Sequence, residues 1–252
     1  MITGQARVMQ RKNRAPVMVL DRHGKARWSE VWNGNPRIVK HIRTGKPVQT
    51  IVNGPGVRPY IVAKTDERWT WREFRPPRGE IYFTQHETTF GQLHAGRVVL
   101  EPHIKARASP NKDWGWRRWN KLAWILQKSG FKVTQLGPLD TPILDGGIEH
   151  IITPSFRHAA AVLANARAAV LHEGGMHHAA VAVGLPAVVI FGGFISPEVT
   201  GYGQQVNLFT GEGLGCGMRV PCAHCADAMA AIKPEVVADH LMEILMREKV
   251  SA

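Results

Sequence analysis

Ala168-Ala169-Val170-Leu171-His172-Glu173-Gly174-Gly175-Met176-His177-His178-Ala179-Ala180-Val181-Ala182-Val183-Gly184-Leu185-Pro186-Ala187-Val188-Val189-Ile190-Phe191-Gly192-Gly193 is the stretch that decides the fold. It reads as a buried strand, a glycine turn, a short Ala-rich helix, a Gly-Leu-Pro stop and a second buried strand. The link between the strands has about the dozen residues that a parallel crossover needs. The Gly-Gly turn therefore sits at the carboxyl end of a strand. Ligands of open α/β sheets bind there, and a helix N-terminus there offers unpaired N–H groups and a positive dipole end to an anion.

The same alternation extends outward on both sides. Upstream, strands are predicted at Val98 to Leu100, Phe131 to Leu136 and Ile148 to Ile152. A helix over Trp116 to Ser129 carries Trp116, Trp119, Ala123 and Leu126 at helical spacing, with Gly130 as its stop. Ser155 is placed to cap a helix that buries Phe156, Ala159, Ala160, Leu163 and Ala166. Downstream, Val206 to Phe209 reads as a sixth strand, and Pro234 opens a final amphipathic helix. Strands alternating with helices predict a doubly wound parallel sheet covered on both faces, here spanning residues 96–252.

Residues 1–95 are less regular. Val17 to Leu20 and Gln49 to Val52 look like strands and Gln5 to Lys12 like a helix, so a smaller, reduced α/β lobe is expected. This part holds 17 Lys and Arg against 7 Asp and Glu, whereas the rest holds 15 against 13. Nearly all of the net charge of +12 thus lies in the first part, which points to an anionic partner there, such as a phosphorylated glycan or nucleic acid. Arg68, Trp69, Trp71, Arg72 and Arg75 form the densest basic and aromatic segment, a pattern suited to pairing with phosphates and stacking on bases. The competing use for such tryptophans is packing a lobe interface.

Composition excludes several classes. An apolar fraction of 44% and a charged fraction of 21% are those of a globular protein. No apolar run reaches the roughly 18 residues of a spanning helix, and a cytoplasmic protein without a transmembrane segment is expected. Three cysteines are too few for a disulfide scaffold. Cys216, Cys222 and Cys225, with His224 between the last two, have ligand-type side chains, but the second paired half of a usual zinc site is missing. The spacing favours reduced thiols over a metal centre. No Asp-x-Asp pair is present to hold a divalent ion against a diphosphate.

From Glu173 through Gly175 and His178 to Pro186 and Phe191-Gly192, the sequence resembles the Asp-x-Gly-x-x-His-x-Ala-Ala…Pro…Phe-Gly signature of the ADP-heptose:lipopolysaccharide heptosyltransferase family. The resemblance extends back to Glu101-Pro102 and Lys112-Asp113-Trp114 and forward through Ser196-Pro197 to the last helix. It implies a GT-B fold and an inverting glycosyltransferase without a cofactor. The nucleotide-sugar donor would lie against Lys105, Lys112, Glu173, Gly174, Gly175, Met176, His177 and His178, and the N-terminal lobe would hold the acceptor. The chain departs from the signature in carrying Glu173 for aspartate and Gly174 where a hydroxyl residue is usual. Its first residues also lack the family's acidic loop, which leaves Asp21, Glu30 and Glu87 as the candidate general bases. Two other classes fit the same residues: a nucleotide-sugar epimerase of this fold, and a non-catalytic nucleic-acid-binding protein.

Overall fold

A computed structural model describes residues 1–41, 45–54, 57–105 and 108–250. In chain order the elements are α1 (Ile2–Asn13), β1 (Val17–Leu20), β2 (Gln49–Val52), β3 (Ile61–Lys64), β4 (Trp69–Trp71), α2 (Gln85–Gln92), β5 (Val98–Glu101) and α3 (Trp116–Lys128). They continue with β6 (Val133–Gly137), β7 (Glu149–Ile152), α4 (Phe156–Asn165), β8 (Ala168–His172), α5 (Gly175–Val183) and β9 (Ala187–Gly192). The last are α6 (Pro197–Thr200), β10 (Val206–Phe209), α7 (Ala223–Ala231) and α8 (Pro234–Val250). Single 3-10 turns occur at Glu30–Trp32 and Pro110–Lys112.

β5 to β10 form one sheet in the order β10-β9-β8-β5-β6-β7, with every neighbouring pair parallel. The chain winds from β5 to β6 and β7, returns to place β8 on the other side of β5, and continues to β9 and β10. Alternate residues of each strand face opposite layers. Val98, Leu100, Ala168, Val170, Val188 and Ile190 pack with α3 and α8, while Val99, Ala169, Leu171, Ala187, Val189 and Phe191 pack with α4 and α5. Both faces are buried, which is why these strands read as unbroken apolar runs. Ser155 caps α4 by accepting from the His158 N–H at 3.3 Å, and Gly130, at φ 82°, closes α3.

The N-terminal part is a reduced α/β unit, as expected. α1 packs against the parallel pair β1–β2, and Ile2, Ala6, Val17, Val19, Trp32 and Ile38 make a small separate core. Two elements of residues 1–95 depart from the sequence reading. The segment from Trp69 is the second strand of an antiparallel hairpin, β3–β4, to which the sequence pattern assigns no strand. α2, which the sequence reading did not foresee, packs against α4 of the large sheet. Its start is fixed by a capping box in which Thr84 accepts from the Glu87 N–H and Glu87 accepts from the Thr84 N–H. Among the described residues no helix is long and apolar enough to cross a membrane.

Candidate functional site

The connections leave β5 and β8 in opposite directions, so no crossover helix covers the space above their carboxyl ends. A cleft of about 480 Å³ opens there. Its floor is Glu101 from the end of β5, Gly137 from the end of β6, and His172 and Glu173 from the end of β8. Gly174, Gly175 and Met176 bring the first turn of α5 to one wall, Phe156 and Ala159 of α4 form an apolar wall, and Lys105 and Lys112 supply positive charge. The first N–H groups of a helix lack intrahelical partners, so the start of α5 gives the cleft a donor-rich end.

Glu173 is the best-held group in it. Lys112 Nζ forms an ion pair with Oε2, and Thr200 Oγ1 donates to Oε1 at 3.0 Å. Burial alone would raise the Glu173 carboxyl, but Lys112, His177 and these two hydrogen bonds outweigh it and hold the group below the usual carboxylate range. Lys112 also lies 5.3 Å from the centre of the Phe194 ring. The other groups of the floor are kept neutral. Burial pushes Glu101 up to about 8 against the opposing charge of Lys105, and burial together with Lys112 pushes His172 down to about 3.

The two adjacent histidines do not share the cleft. His177 is fully buried; its Nδ1 accepts from the Gly174 N–H at 2.8 Å and its Nε2 lies 3.0 Å from the Thr200 carbonyl oxygen, to which it donates in that tautomer. It ties the glycine turn to α6. His178 points elsewhere, with Nδ1 2.9 Å from the Tyr202 hydroxyl. Glu173, His177 and His178 lie close enough to suggest a metal triad. However, both carboxylate oxygens of Glu173 and both ring nitrogens of His177 already have partners, so the group is a hydrogen-bonded anchor. Of the donor-side residues expected from the sequence, Lys105, Lys112, Glu173, Gly174, Gly175 and Met176 line the cleft, and His177 and His178 do not.

None of Asp21, Glu30 and Glu87 lines the cleft either. Asp21 closes an exposed turn by accepting from the N–H groups of His23 and Lys25. Glu30 is exposed and starts a 3-10 turn. Glu87 is buried and gripped through both oxygens by Arg157, at 2.6 and 2.7 Å. The hydrogen bonds from Arg157 hold its carboxyl down at about 2, too weak a base for proton abstraction at neutral pH.

The basic and aromatic segment is also occupied. Trp71 is 7% exposed, donates its indole N–H to the Phe194 carbonyl at 3.1 Å and packs edge-on against the Phe194 ring. Trp69 packs against Trp71, with the Arg219 guanidinium 4.5 Å over its ring. Arg68 donates to the Cys216 carbonyl and Arg72 to the Pro59 carbonyl. The indoles thus pack the junction between the hairpin and the large sheet, and they are not free to stack on bases. Arg75, exposed at φ 45°, lines a second pocket with Arg78 and Tyr202. The three cysteines converge outside the cleft, beside Asn111.

Sequence reasoning did not single out Glu101, His172 or Thr200 as site residues. Glu101 and His172 end adjacent strands, a signal that pairing β5 with β8 would have supplied; Thr200 falls within the stretch that the family resemblance covers, which gives it no role of its own.

No family model and no curated protein matches the sequence. Solved structures do match. E. coli ADP-heptose lps heptosyltransferase II matches with a TM-score of 0.51 at 19% identity, covering 68% of this chain and 54% of that one. A glycosyl transferase family 9 protein from Veillonella parvula DSM 2008 matches with a TM-score of 0.54 at 14% identity, over 68% and 55%. The dodecameric iron-containing heptosyltransferase TibC, in complex with ADP-D-beta-D-heptose, matches with a TM-score of 0.53 at 15% identity, over 84% and 63%. These likenesses show that the chain has the fold of the heptosyltransferases. It spans a little over half the length of the first two.

Proposed function

We propose that the chain transfers a sugar from a nucleotide-sugar donor to an acceptor hydroxyl. The observation that carries this reading is the cleft at the switch point between β5 and β8, where the first turn of α5 and the Lys112 ammonium face the same space. A diphosphate seated there meets helix N–H groups and a cation, while a nucleoside finds the apolar wall of Phe156 and Ala159. That structures of the same fold are named heptosyltransferases, one of them solved with ADP-D-beta-D-heptose, supports the donor class.

We infer a single displacement with inversion. A double displacement needs an ionised carboxylate as nucleophile. Glu101 and Glu173 are the carboxylates lining the cleft, and the first is protonated at neutral pH while the second is engaged by Lys112 and Thr200. The departing diphosphate would be stabilised by the helix end and Lys112, with no metal ion at that position. The acceptor would approach from the basic N-terminal part, and a phosphorylated glycan fits the charge there.

A thermal-shift series with nucleotide sugars, ADP-heptose among them, tests the reading. A donor at 100 times its dissociation constant adds about 2.7 kcal/mol of stability, and incubation with acceptor then releases the nucleoside diphosphate. If no nucleotide sugar and no nucleoside diphosphate raises the melting temperature at millimolar concentration, the reading fails.

A further inference from the structure

Outside the cleft, four ligand-type side chains from two segments converge. Cys216 sits on the glycine-rich loop after β10; Cys222 is the N-cap of α7, and His224 and Cys225 lie in its first turn. Cys216 Sγ is 2.9 Å from Cys225 Sγ and 4.0 Å from Cys222 Sγ, and His224 Nδ1 is 3.9 Å from Cys225 Sγ. All four ligand atoms lie within 4.8 Å of one another.

From this we propose that Cys216, Cys222, Cys225 and His224 bind one thiophilic transition-metal ion of the zinc class, as a structural Cys3His centre. A tetrahedral ion with bonds of about 2.3 Å to sulfur and about 2.0 Å to nitrogen has ligand-to-ligand edges of roughly 3.5 to 3.8 Å. The separations of 2.9 to 4.0 Å bracket these edges, and the Cys216–Cys225 pair would open by about 1 Å to admit the ion. The quartet's surroundings suit a thiolate as well: the Met218 N–H points at Cys216 Sγ at 3.4 Å. The backbone is shaped to the same end. Gly215 and Gly217 take φ of 94° and 67° on either side of Cys216, a conformation other residues adopt only under strain. A side chain on Gly193 would meet the His224 ring at 3.0 Å.

The loop so fixed is where three parts of the molecule meet. The Gly217 carbonyl accepts from the Trp69 N–H at 2.9 Å, and Met218 bridges to Arg68, which seats the β3–β4 hairpin. Asn111 donates to the carbonyls of Met218 and Val220 and accepts from the Cys222 N–H. Asn111 precedes Lys112, so the metal loop holds the turn that presents Lys112 to Glu173. The ion would support the cleft without entering it, because none of its ligands lines that cleft.

The test uses the full chain, purified under reductant without a metal-affinity step. Elemental analysis is expected to find about one zinc or iron ion per chain. Titration of the thiols with a mercurial should release it. Replacement with cobalt(II) should give the intense visible and near-ultraviolet bands of tetrahedral thiolate coordination. Cys222→Ser and Cys225→Ser should abolish those bands, and His224→Ala, at an exposed position, should weaken cobalt binding at least tenfold while the chain stays folded. Should the cysteine variants not fold, the wild-type cobalt spectrum and His224→Ala decide. Chain free of metal with three freely reacting thiols, a Cys216–Cys225 disulfide in the freshly purified protein, or cobalt bound without thiolate bands would each overturn the proposal. None of these readouts involves a sugar donor, so they stand or fall apart from the transfer reaction.

Discussion

Lys112 and Glu173 are the residues on which the site depends, and they are coupled. Their side chains are 18% and 6% exposed, so removing one partner leaves a buried charge. Lys112→Met should cost about 3 to 5 kcal/mol of stability, and Lys112→Met/Glu173→Leu should cost less than the sum of the two single changes. Denaturant titration of all four proteins measures this, and strict additivity would show that the pair is not coupled. Lys112→Met should also raise the donor dissociation constant at least tenfold. A second buried pair, Glu87 with Arg157, sets a pH dependence. The Glu87 carboxyl is held at about 2 in the fold against an ordinary value of 4.5. Its contribution is fully present above pH 4.5 and is lost as pH falls through 2, and at neutral pH it amounts to about 3 kcal/mol. Glu87→Gln should therefore be much less stable than the wild type at pH 7, with the gap narrowing between pH 5 and 2; a gap that does not change with pH would show that the pair does not titrate as proposed. The sequence marked Glu173 and Gly175 because a strand-turn-helix pattern puts them at a strand end wherever the sheet lies. It did not separate His177 from His178. Neighbours on a helix point about 100° apart, and which one meets the core depends on how α5 is rotated against the sheet.

At the scale of elements, the inner strands of the large sheet, β5, β6, β8 and β9, were legible because each is buried on both faces. α2 was not, although Thr84 and Glu87 stand at capping-box spacing, because its eight residues show only a weak apolar stripe. What holds it is close approach to α4: a side chain on Gly91 would run into the Ala161 carbonyl oxygen. Gly91→Ala should push the two helices apart and cost about 1 to 3 kcal/mol, despite the higher helix propensity of alanine. Stability equal to or above the wild type in a denaturation curve would contradict that packing. The β3–β4 hairpin was hidden for a different reason. Its two strands are short and their pairing is bulged between Ile61 and Ala63, and a bridge from Arg68 to Met218, far along the chain, seats it in a way no local pattern records.

For the whole molecule, the charge excess of residues 1–95 carries the remaining prediction. A phosphorylated glycan should bind with an affinity that falls as salt rises, because bound cationic side chains release counterions. Arg75→Ala/Arg78→Ala, at the exposed pocket beside Tyr202, should weaken binding and flatten the salt slope. No binding at low salt, or an unchanged slope, would leave a neutral acceptor as the better reading. The buried indole of Trp71 and the partly buried one of Trp69, packed against it, make single-stranded nucleic acid the weaker candidate, and its binding should be measured in the same series. The sequence by itself determined that a parallel, doubly wound sheet is present, where its glycine turn lies, and on which part of the chain the charge collects. These follow from periodicity, strand ends and composition, all of which are local. Only the tertiary structure decided that the indoles close an interface, that Glu87 is locked by Arg157, and that three cysteines and a histidine share one small volume. Each of these depends on side chains far apart in sequence reaching a common place, and that is set by the packing of layers and not by any single segment.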